Sequence, residues 1–541
     1  MSKKNVALQV VEALRDLGVK HVFGVPSGGW VDYMEALRQT DGIEFVLATH
    51  EGGAGFMADV CGRLSGAPGV CFGTFGPGAT NLSTGVGSAL LDRSPVIALT
   101  DEFAADKRDR IVQMNVDHQA IFKPLTKKTT RLEADRVREI IFDAARVAQE
   151  GVPGPVHIGL PQAMSAQVTE ASTIAPLEVR ASEAADADKL TQMQTLFAEA
   201  KKPVIALGMR AATEGIEESI KALIEKFKVP VVLTPMAKGI LAENHPNYAG
   251  VLFHALSDVV GQTHQQADLV VSIGYDEIEF NYEDWIPNVP VVGVDIVATD
   301  LDTSEYTLAL DVVGNITASV NALAATECNE KDWDLTALAI RKSDMFARMS
   351  PKNDAFGPTA ALDILRDKFP QDGIMTCDVG AHIHLIGQKW PTPAFGKQIM
   401  TNGWSAMGFA LPSAIAAKLT KPDTPVCAVV GDGGFLMTAG ELAVAVREKL
   451  KIVFVLFTDN DLALIRIKQE KKDNPNYGMT IRRQGTIGGD NIFGVPVIKA
   501  YDKAEFGDAL LTAFAQEGPV LVEAILNSRE YDSLVLRKDK P

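Results

Sequence analysis

The sequence predicts an α/β protein with three doubly wound parallel-sheet domains. At 541 residues the chain is too long for a single core, and its length suits roughly three or four domains. Short apolar runs rich in β-branched residues alternate with helix-spaced segments, as in parallel sheets that helices cover on both faces. Two polar stretches without clear periodicity, residues 165–188 and about 326–357, separate the alternating blocks and are typical of linkers.

The three blocks are predicted at residues 1–165, 189–325 and 358–541, and each has its own series of apolar strands. The first begins with the helix-spaced segment Val6–Leu17 and continues with the strands HVFGVP, FVLA, GVCFG, PVIALT and PVHIGLP. The second contains PVIALG, VPVVLTP, DLVVSIG and VPVVGVDI. The third contains GIMTCDVG, VCAVVGDGG, KIVFVLFTD and VLVEAIL. Glycine-rich turns follow strands in the first and third blocks, so these two are expected to be organised alike.

Composition excludes several classes of function. The net charge of −17 argues against non-specific nucleic-acid binding, which needs a basic surface. We find no run of about 18 uncharged apolar residues that would span a membrane. The five cysteines form no CxxC pair, which fits reduced thiols in a cytoplasmic protein. The first residues begin an amphipathic helix and lack the apolar core of a signal peptide.

Two aspartates in the third block have the spacing of a phosphate-binding metal site. Asp432 lies in the glycine turn after VCAVV, and Asp459 follows the next strand, 27 residues further on. A strand–helix–strand unit of roughly 30 residues returns the chain to a neighbouring parallel strand. Both acids are therefore expected at the carboxyl edge of the sheet, where such sheets bind ligands. Two hard oxygen ligands beside a glycine turn suit Mg²⁺ holding a diphosphate.

The surrounding residues complete this predicted site and leave some alternatives open. Gly433 and Gly434 can bring backbone N–H groups to a phosphate, and Asp461 can offer its carbonyl to the metal. If the register slips by one residue, Asn460 replaces Asp459. The simpler alternative is a strand-to-helix turn in which glycine relieves the backbone and Asp432 caps the helix.

Two motifs of the first block are candidates for chemistry. In THEGG, Glu51 follows the strand FVLA and precedes a helix rich in small residues. It is either a carboxylate that interacts with the helix dipole or a partly buried acid with a raised pKa that passes a proton. The segment FGPGATN contains Gly76 and Asn81. It is either a plain turn or a place where a flat ligand approaches the main chain.

Two further candidates lie in the third block. Met407 stands in MGFALP among small residues, where a core methionine is the simplest interpretation. His382 and His384 alternate in DVGAHIH as on one face of a strand. No third ligand at a recognisable spacing supports a zinc site, so His382 is better interpreted as a hydrogen-bond donor to a diphosphate.

These motifs, in this order, resemble the thiamine-diphosphate (ThDP) enzymes of the acetolactate synthase, pyruvate oxidase and pyruvate decarboxylase superfamily. The resemblance covers nearly the whole chain. It is nearest to catabolic, flavin-free acetolactate synthases, which share GDGGFL, an Asp in the second turn and a pattern like IGYDEIEFNYEDW. It implies a pyrimidine-binding, a central and a diphosphate-binding domain, in that order. It also implies a homodimer or homotetramer whose sites form between the first and third domains of different subunits, and FAD is not expected.

The resemblance assigns roles to individual residues. Glu51 would activate the cofactor through its pyrimidine ring, and Met407 would hold the two rings in a bent conformation. Asp432, Asp459 and the Asp461 carbonyl would bind Mg²⁺. The other predicted cofactor contacts are Gly76, Asn81, His382, Gly403, Ser405, Gly433 and Gly434.

The implied reaction is decarboxylation of a small 2-oxo acid such as pyruvate and transfer of the acyl carbanion unit to a carbonyl acceptor. Acetolactate synthases carry a glutamine just before the segment matching VDHQAIFKPLTK, where this chain has Met114. Gln113 and His118 are candidates for its catalytic role, although His118 would equally suit a surface or core position. The enzymatic alternatives are a 2-oxo-acid decarboxylase and an acyloin lyase. The non-enzymatic ones are a nucleotide-binding α/β protein and a cofactor-dead relative that acts by interaction.

Overall fold

The computed structural model describes residues 3–108, 110–213, 215–279, 289–304, 306–351, 354–481 and 486–535. Within these ranges, three main sheets with mostly parallel strands follow one another along the chain, which confirms the predicted fold class. The second part of the motif IGYDEIEFNYEDW, residues 280–285, lies outside the described residues.

The first unit has a parallel sheet in the strand order β3-β2-β4-β5-β7-β6. Its strands are β1 (Lys3–Asn5), β2 (His21–Gly24), β3 (Glu44–Leu47), β4 (Gly69–Gly73), β5 (Val96–Glu102), β6 (Lys128–Arg131), β7 (Val156–Pro161) and β8 (Val168–Glu170). Its helices are α1 (Val6–Asp16), α2 (Val31–Gln39), α3 (Glu51–Ser65), α4 (Gly76–Leu91), α5 (Ala105–Arg108), α6 (His118–Phe122) and α7 (Val137–Gln149). The strand β8 pairs antiparallel with β1, so the predicted linker 165–188 begins with a short strand.

Strand β4 shows why helices cover both faces of this sheet. Val70 and Phe72 belong to a core formed with α1, α2 and α7. Cys71, which points to the opposite face, belongs to a core formed with α3 and α4. The sheet is therefore buried on both sides, as its continuous apolar strands predict.

The second unit has the strand order β11-β10-β9-β12-β13-β14, and all of its described strand pairs are parallel. Its strands are β9 (Pro203–Leu207), β10 (Val231–Leu233), β11 (Tyr248–Val251), β12 (Leu269–Ile273), β13 (Val291–Asp295) and β14 (Leu308–Val313). Its helices are α8 (Ala187–Glu199), α9 (Met209–Thr213), α10 (Glu217–Phe227), α11 (Ser257–His264) and α12 (Ile316–Ala324).

The predicted linker 326–357 contains a helix, α13 (Leu335–Arg348), so the prediction of a linker is wrong there. Asp334 caps this helix by accepting hydrogen bonds from the backbone N–H groups of Thr336 and Ala337. Leu338 and Met345 are two helical turns apart, so they lie on the same face of the helix, and both are buried in the core. The cap and the two apolar residues therefore outweigh the polar composition of the segment.

The third unit has the strand order β16-β15-β17-β18-β21-β20-β19. Its strands are β15 (Ile374–Cys377), β16 (Gln398–Ile399), β17 (Val426–Gly431), β18 (Ile452–Thr458), β19 (Asn491–Ile492), β20 (Val495–Ala500) and β21 (Val520–Ile525). Its helices are α14 (Pro358–Lys368), α15 (Ala381–Lys389), α16 (Ala410–Thr420), α17 (Asp432–Thr438), α18 (Leu442–Arg447), α19 (Ala463–Glu470) and α20 (Lys503–Ala515).

The strand–helix–strand unit predicted around the two aspartates is present. Strands β17 and β18 are parallel neighbours, paired from Val426 opposite Ile452 to Gly431 opposite Phe457. Asp432 is the first residue of α17 and Asp459 directly follows β18. Both aspartates therefore lie at the carboxyl edge of the sheet, as the spacing predicts.

The first and third units pack against each other through α3, α4 and α16, whose buried residues share one core. Within the first unit, glycine lets α3 and α4 pack closely, because a Cβ atom on Gly55 would lie 2.7 Å from the Cα atom of Gly85. The five cysteines are all free thiols. Among the described residues, the helices include none that is both long and apolar enough to cross a membrane.

Candidate functional site

The carboxyl ends of β17 and β18 bring two acids together, the buried Asp432 and the half-buried Asp459. Asp432 is 2% exposed, and its Oδ2 accepts a hydrogen bond from the Asn460 backbone N–H at 2.7 Å. Asn460 has a left-handed backbone, with φ at 60°, which turns the chain between Asp459 and Asp461. Burial, followed by the negative charge of Asp432, raises the pKa of Asp459 to about 8. The two side chains therefore concentrate more negative charge than the protein alone neutralises, which favours a cation.

Asp461 contributes differently, because its side chain is already paired. Its Oδ2 accepts a hydrogen bond from Arg466 Nε at 2.7 Å, and Arg466 also bonds Asp532 at 2.8 Å. Within the described ranges, no group of three or more His, Cys, Asp or Glu side chains is arranged to hold a metal ion. A ligand set of two carboxylates and the Asp461 carbonyl, as predicted, does not require a third side chain.

His382 lies against the glycine turn, but on a helix. The predicted strand spacing of His382 and His384 is wrong, because both residues belong to α15 and point away from each other. The Nε2 atom of His382 is buried with no hydrogen-bond partner in the described structure. A Cβ atom on Gly431 would lie 3.2 Å from His382 Cε1. The unpartnered nitrogen beside the turn suits a phosphate oxygen.

The charge state of the His382 ring depends on whether an anion lies beside it. Burial lowers its pKa to about 4, so the ring is neutral at pH 7, with one nitrogen that donates and one that accepts. An anion beside Nε2 would favour the protonated ring, in which both nitrogens donate.

Met407 packs directly on the same turn. A Cβ atom on Gly433 would lie 2.9 Å from Met407 Cε, so glycine at 433 is what allows this contact. Asp378 fixes the backbone after Met407, accepting hydrogen bonds from the N–H groups of Gly408 at 2.9 Å and Ala410 at 3.0 Å. Gly434 also lies against Asp378, since a Cβ there would be 2.7 Å from Oδ1. Asp378 thus connects the glycine turn with the Met407 segment.

Gly403 and Ser405 lie at the other end of that segment. The Gly403 N–H donates to Asp92 of the first unit at 3.0 Å. Ser405 has φ at 51°, and its Oγ donates to the Asn402 carbonyl at 2.6 Å. The structure therefore places Gly403 beside the first unit, whereas the Ser405 hydroxyl bonds within its own segment.

Glu51 and Asn81 are brought together in the first unit. Glu51 is the first residue of α3 and is 8% exposed. Asn81 Nδ2, from α4, donates to Glu51 Oε2 at 3.0 Å. A Cβ on Gly78 would lie 3.2 Å from Oε1, so small residues of α4 surround the carboxylate. Gly76 begins α4 with φ at 21° and lies against the carbonyl of Met114.

Gln113 and His118, the two candidates for the catalytic role of the missing glutamine, differ in their exposure. Gln113 is exposed, whereas His118 is buried and its Nδ1 lies 3.0 Å from Thr100 Oγ1. Burial lowers the pKa of His118, so the neutral form is favoured. His118, Met114 and Arg131 line a small cavity.

Sequence reasoning missed Glu441, a fully buried acid of the third unit. Its carboxylate accepts hydrogen bonds from the N–H groups of Thr49 at 3.2 Å and His50 at 3.1 Å. It therefore holds the two residues that precede Glu51 in the chain. A signal existed in GDGGFLMTAGEL, where an acid follows the glycine turn in an otherwise apolar segment.

Comparisons with known proteins cover all three units. Models of the thiamine pyrophosphate enzyme family match the N-terminal TPP binding domain at residues 4–121, the central domain at 190–323 and the C-terminal TPP binding domain at 378–524. The acetolactate synthase of Bacillus subtilis (strain 168) is 30% identical over 99% of this chain and 95% of its own length. The acetolactate synthase large subunit of Lactococcus lactis subsp. lactis (strain IL1403) is 28% identical over 96% and 92%. The catabolic acetolactate synthase of Raoultella terrigena is 29% identical over 86% and 84%.

Proposed function

Because the chain belongs to the thiamine pyrophosphate enzyme family, we propose that it is a ThDP- and Mg²⁺-dependent carboligase of the acetolactate synthase type. Its substrates would be a small 2-oxo acid such as pyruvate, which loses CO₂, and a carbonyl acceptor for the acyl carbanion unit. The observation that carries the proposal is the pair of acids, Asp432 and Asp459, at the carboxyl ends of neighbouring strands. A cytoplasmic location remains a prediction.

The residues at this edge of the sheet fit a magnesium diphosphate. Carboxylate and carbonyl oxygens are the ligands that Mg²⁺ prefers, and Asp432, Asp459 and the Asp461 carbonyl would supply them. The unpartnered Nε2 of His382 and the backbone N–H groups of Gly433 and Gly434 would bind phosphate oxygens.

The first unit would supply the proton chemistry. When bound, ThDP supplies a thiazolium carbon that becomes a nucleophile on losing its proton. Glu51 would exchange a proton with the pyrimidine ring, and Asn81 would keep the Glu51 carboxylate oriented through its hydrogen bond of 3.0 Å. Met407, packed on Gly433, would hold the ring end of the cofactor above the glycine turn and exclude water from it.

A product survey tests the proposed reaction. The protein is incubated with ThDP, Mg²⁺ and a panel of 2-oxo acids, and CO₂, free aldehyde and coupled hydroxy-keto products are measured together. Coupled products are expected. Aldehyde and CO₂ without coupling would instead identify a simple decarboxylase, and no turnover with any acid would favour a lyase or a cofactor-dead relative.

Flavin is not part of the proposed enzyme, and the central unit supports this. Ligands of such sheets bind at the carboxyl edge where the strand order reverses, here between β9 and β12. The guanidinium of Arg210 occupies that edge and pairs with Asp276 and Asp295. Its hydrogen bond to the Tyr275 carbonyl, at 2.6 Å, fixes it further.

We expect Met114→Gln to shift the acceptor range of the enzyme. Met114 lies over Gly76 and lines the cavity beside His118, where it replaces the glutamine of acetolactate synthases. Its left-handed backbone, with φ at 58°, strains methionine and glutamine equally, so the fold should tolerate the change. Relative kcat/KM values for a set of acceptors measure the effect, with Val112→Ala, at a residue that is 89% exposed on the same loop, as a control. An unchanged acceptor range would show that position 114 does not set specificity.

We also propose that the working unit is at least a homodimer. Leu436 and Met437, on α17 directly after the glycine turn, are 55% and 61% exposed in the single chain. Large exposed apolar residues beside a buried site suggest a covered surface. Leu436→Asp is expected to lower the molar mass measured by light scattering, whereas Leu511→Asp, at a residue that is 54% exposed on α20, should not. Equal masses for both variants and wild type would contradict this interface.

A further inference from the structure

The segment that carries Met407 is held at both ends by buried carboxylates. We name residues 400–408 the Met407 loop. Asp378 accepts hydrogen bonds from the Gly408 and Ala410 N–H groups, as described above. At the other end, Asp92 Oδ1 accepts from the N–H groups of Asn402 at 3.1 Å and Gly403 at 3.0 Å. The loop therefore has two fixed ends, and one of them belongs to the first unit.

The second oxygen of Asp92 is held by Arg63. Arg63 NH2 donates to Asp92 Oδ2 at 2.9 Å, and Arg63 NH1 donates to the Met400 carbonyl at 2.8 Å. The guanidinium thus contacts the start of the loop directly and also neutralises the carboxylate that binds it. Arg63 pairs in addition with Asp59, through Nε at 2.7 Å and NH2 at 2.9 Å.

The same point joins all three units. Arg93, the neighbour of Asp92, pairs with Asp276 of the second unit at 2.6 Å. Asn402 Nδ2, in the loop, donates to the Glu279 carbonyl of that unit at 2.6 Å. Small rotations between units would therefore strain these bonds. Because Asp92 directly follows α4, the start of the loop is expected to move together with the end of that helix.

Helix α4 connects this junction with Glu51. Asn81, which bonds the Glu51 carboxylate, precedes Asp92 by three helical turns, a distance of about 16 Å along the axis. One rigid helix thus carries both the residue that orients Glu51 and the residue that holds the Met407 loop.

We propose that Asp92 and Arg63 are positioning residues for the reaction, which set the position of Met407 relative to the glycine turn. The inference rests on the proposed function, because Met407 matters to the reaction only if it meets the cofactor there. A misplacement of about 1 Å in such a residue lowers turnover by roughly 100-fold. The competing explanation is that the buried cluster only stabilises the contact between units.

Asp92→Asn is the informative variant. A carboxamide has one oxygen acceptor and one NH₂ donor, so its NH₂ group must face either the loop N–H groups or the Arg63 guanidinium. Arg63 keeps Asp59 as its charge partner, so the variant leaves no buried guanidinium without a carboxylate. We expect kcat to fall roughly 10- to 100-fold, with KM for the 2-oxo acid and Kd for ThDP changed less than about threefold because the diphosphate end is intact.

Asp59→Asn is the matched control. Asp59 is as deeply buried as Asp92 and also pairs with Arg63, and its described hydrogen bonds go to residues of the first unit, Arg63, Ser88 and Ser94. A purely stabilising cluster predicts equal losses of kcat and of melting temperature in the two variants. That outcome would overturn the proposal. A loss of kcat confined to Asp92→Asn supports it.

Amide hydrogen exchange of peptides covering residues 400–408, measured by mass spectrometry in the apoprotein, provides a readout without turnover. Asp92→Asn should speed this exchange and Asp59→Asn should not. If the wild type proves to have no ligase activity, the exchange difference still decides whether Asp92 holds the loop, so the two proposals fail separately.

If Asp92→Asn does not fold, Gly403→Ala replaces it. A Cβ on residue 403 would lie 2.6 Å from Leu91 Cβ, so this variant displaces the loop without altering a buried charge. Unchanged exchange in that variant would equally overturn the proposal.

Discussion

Glu51→Gln is expected to lower turnover by roughly 10²- to 10⁴-fold, the usual contribution of a positioned acid or base. Glutamine has nearly the shape of glutamate and can accept the hydrogen bond from Asn81, so the local structure should persist. It cannot exchange a proton with the pyrimidine ring. Affinity for ThDP should change only a few-fold, because the residues proposed to hold the diphosphate lie in the third unit.

Steady-state kinetics and calorimetric titration with ThDP measure the two quantities on the same preparations. Thermal melting of the apoprotein checks that the variant is folded. Glu12→Gln is a control and should keep wild-type turnover. Glu12 lies on α1, and its carboxylate pairs with Lys4. Unchanged turnover in Glu51→Gln would remove Glu51 from the mechanism.

Asp459→Ala is expected to abolish the gain in ThDP affinity that Mg²⁺ gives. Loss of a supporting residue behind a ligand already costs roughly 10- to 100-fold in metal affinity, and loss of a ligand should cost more. Asp461→Asn is the matched control, since the Asp461 side chain pairs with Arg466 and only its carbonyl is proposed to bind the metal. Calorimetry with Mg²⁺ and with a chelator measures the effect. Equal losses in both variants would assign the side chain of Asp461 to the metal.

The pH dependence of the apoprotein gives a second test of Asp459. Its pKa is raised to about 8 by burial and by Asp432, against about 4 in an unfolded chain. The folded state therefore holds the proton more tightly, and stability is lost as pH rises through this window. As pH rises from about 4 to about 8, the melting temperature of Asp459→Ala should therefore increase relative to that of the wild type. Mg²⁺ should reduce the difference, and a difference independent of pH would contradict a buried, charge-coupled Asp459.

The part of the site that follows local rules was predictable. Strand–helix–strand connections return the chain to the same sheet edge, so the spacing of Asp432 and Asp459 determined where both would lie. The helix of small residues predicted after the strand FVLA is likewise present as α3, and Glu51 is its first residue.

Other features depended on contacts that no local pattern shows. DVGAHIH alternates like a strand, but β15 ends at Cys377 and both histidines fall on α15. The polar stretch 326–357 contains α13 because apolar side chains at distant positions reach the shared core. Asp92, Asp378 and Glu441 bind backbone N–H groups hundreds or tens of residues away. Their sequence neighbourhoods carry no sign of those partners.

The most direct measurement is the rate at which the C2 proton of bound ThDP exchanges with deuterium, followed by NMR after rapid quenching, with Mg²⁺ present. Two groups of residues on different units, the acids Asp432 and Asp459 and the Glu51 carboxylate, are proposed to serve one cofactor. The wild type should then accelerate the exchange over free ThDP, and Glu51→Gln, with the cofactor still bound, should lose roughly 10²- to 10⁴-fold of that rate. Equal exchange rates in the wild type and in Glu51→Gln would contradict a single shared site.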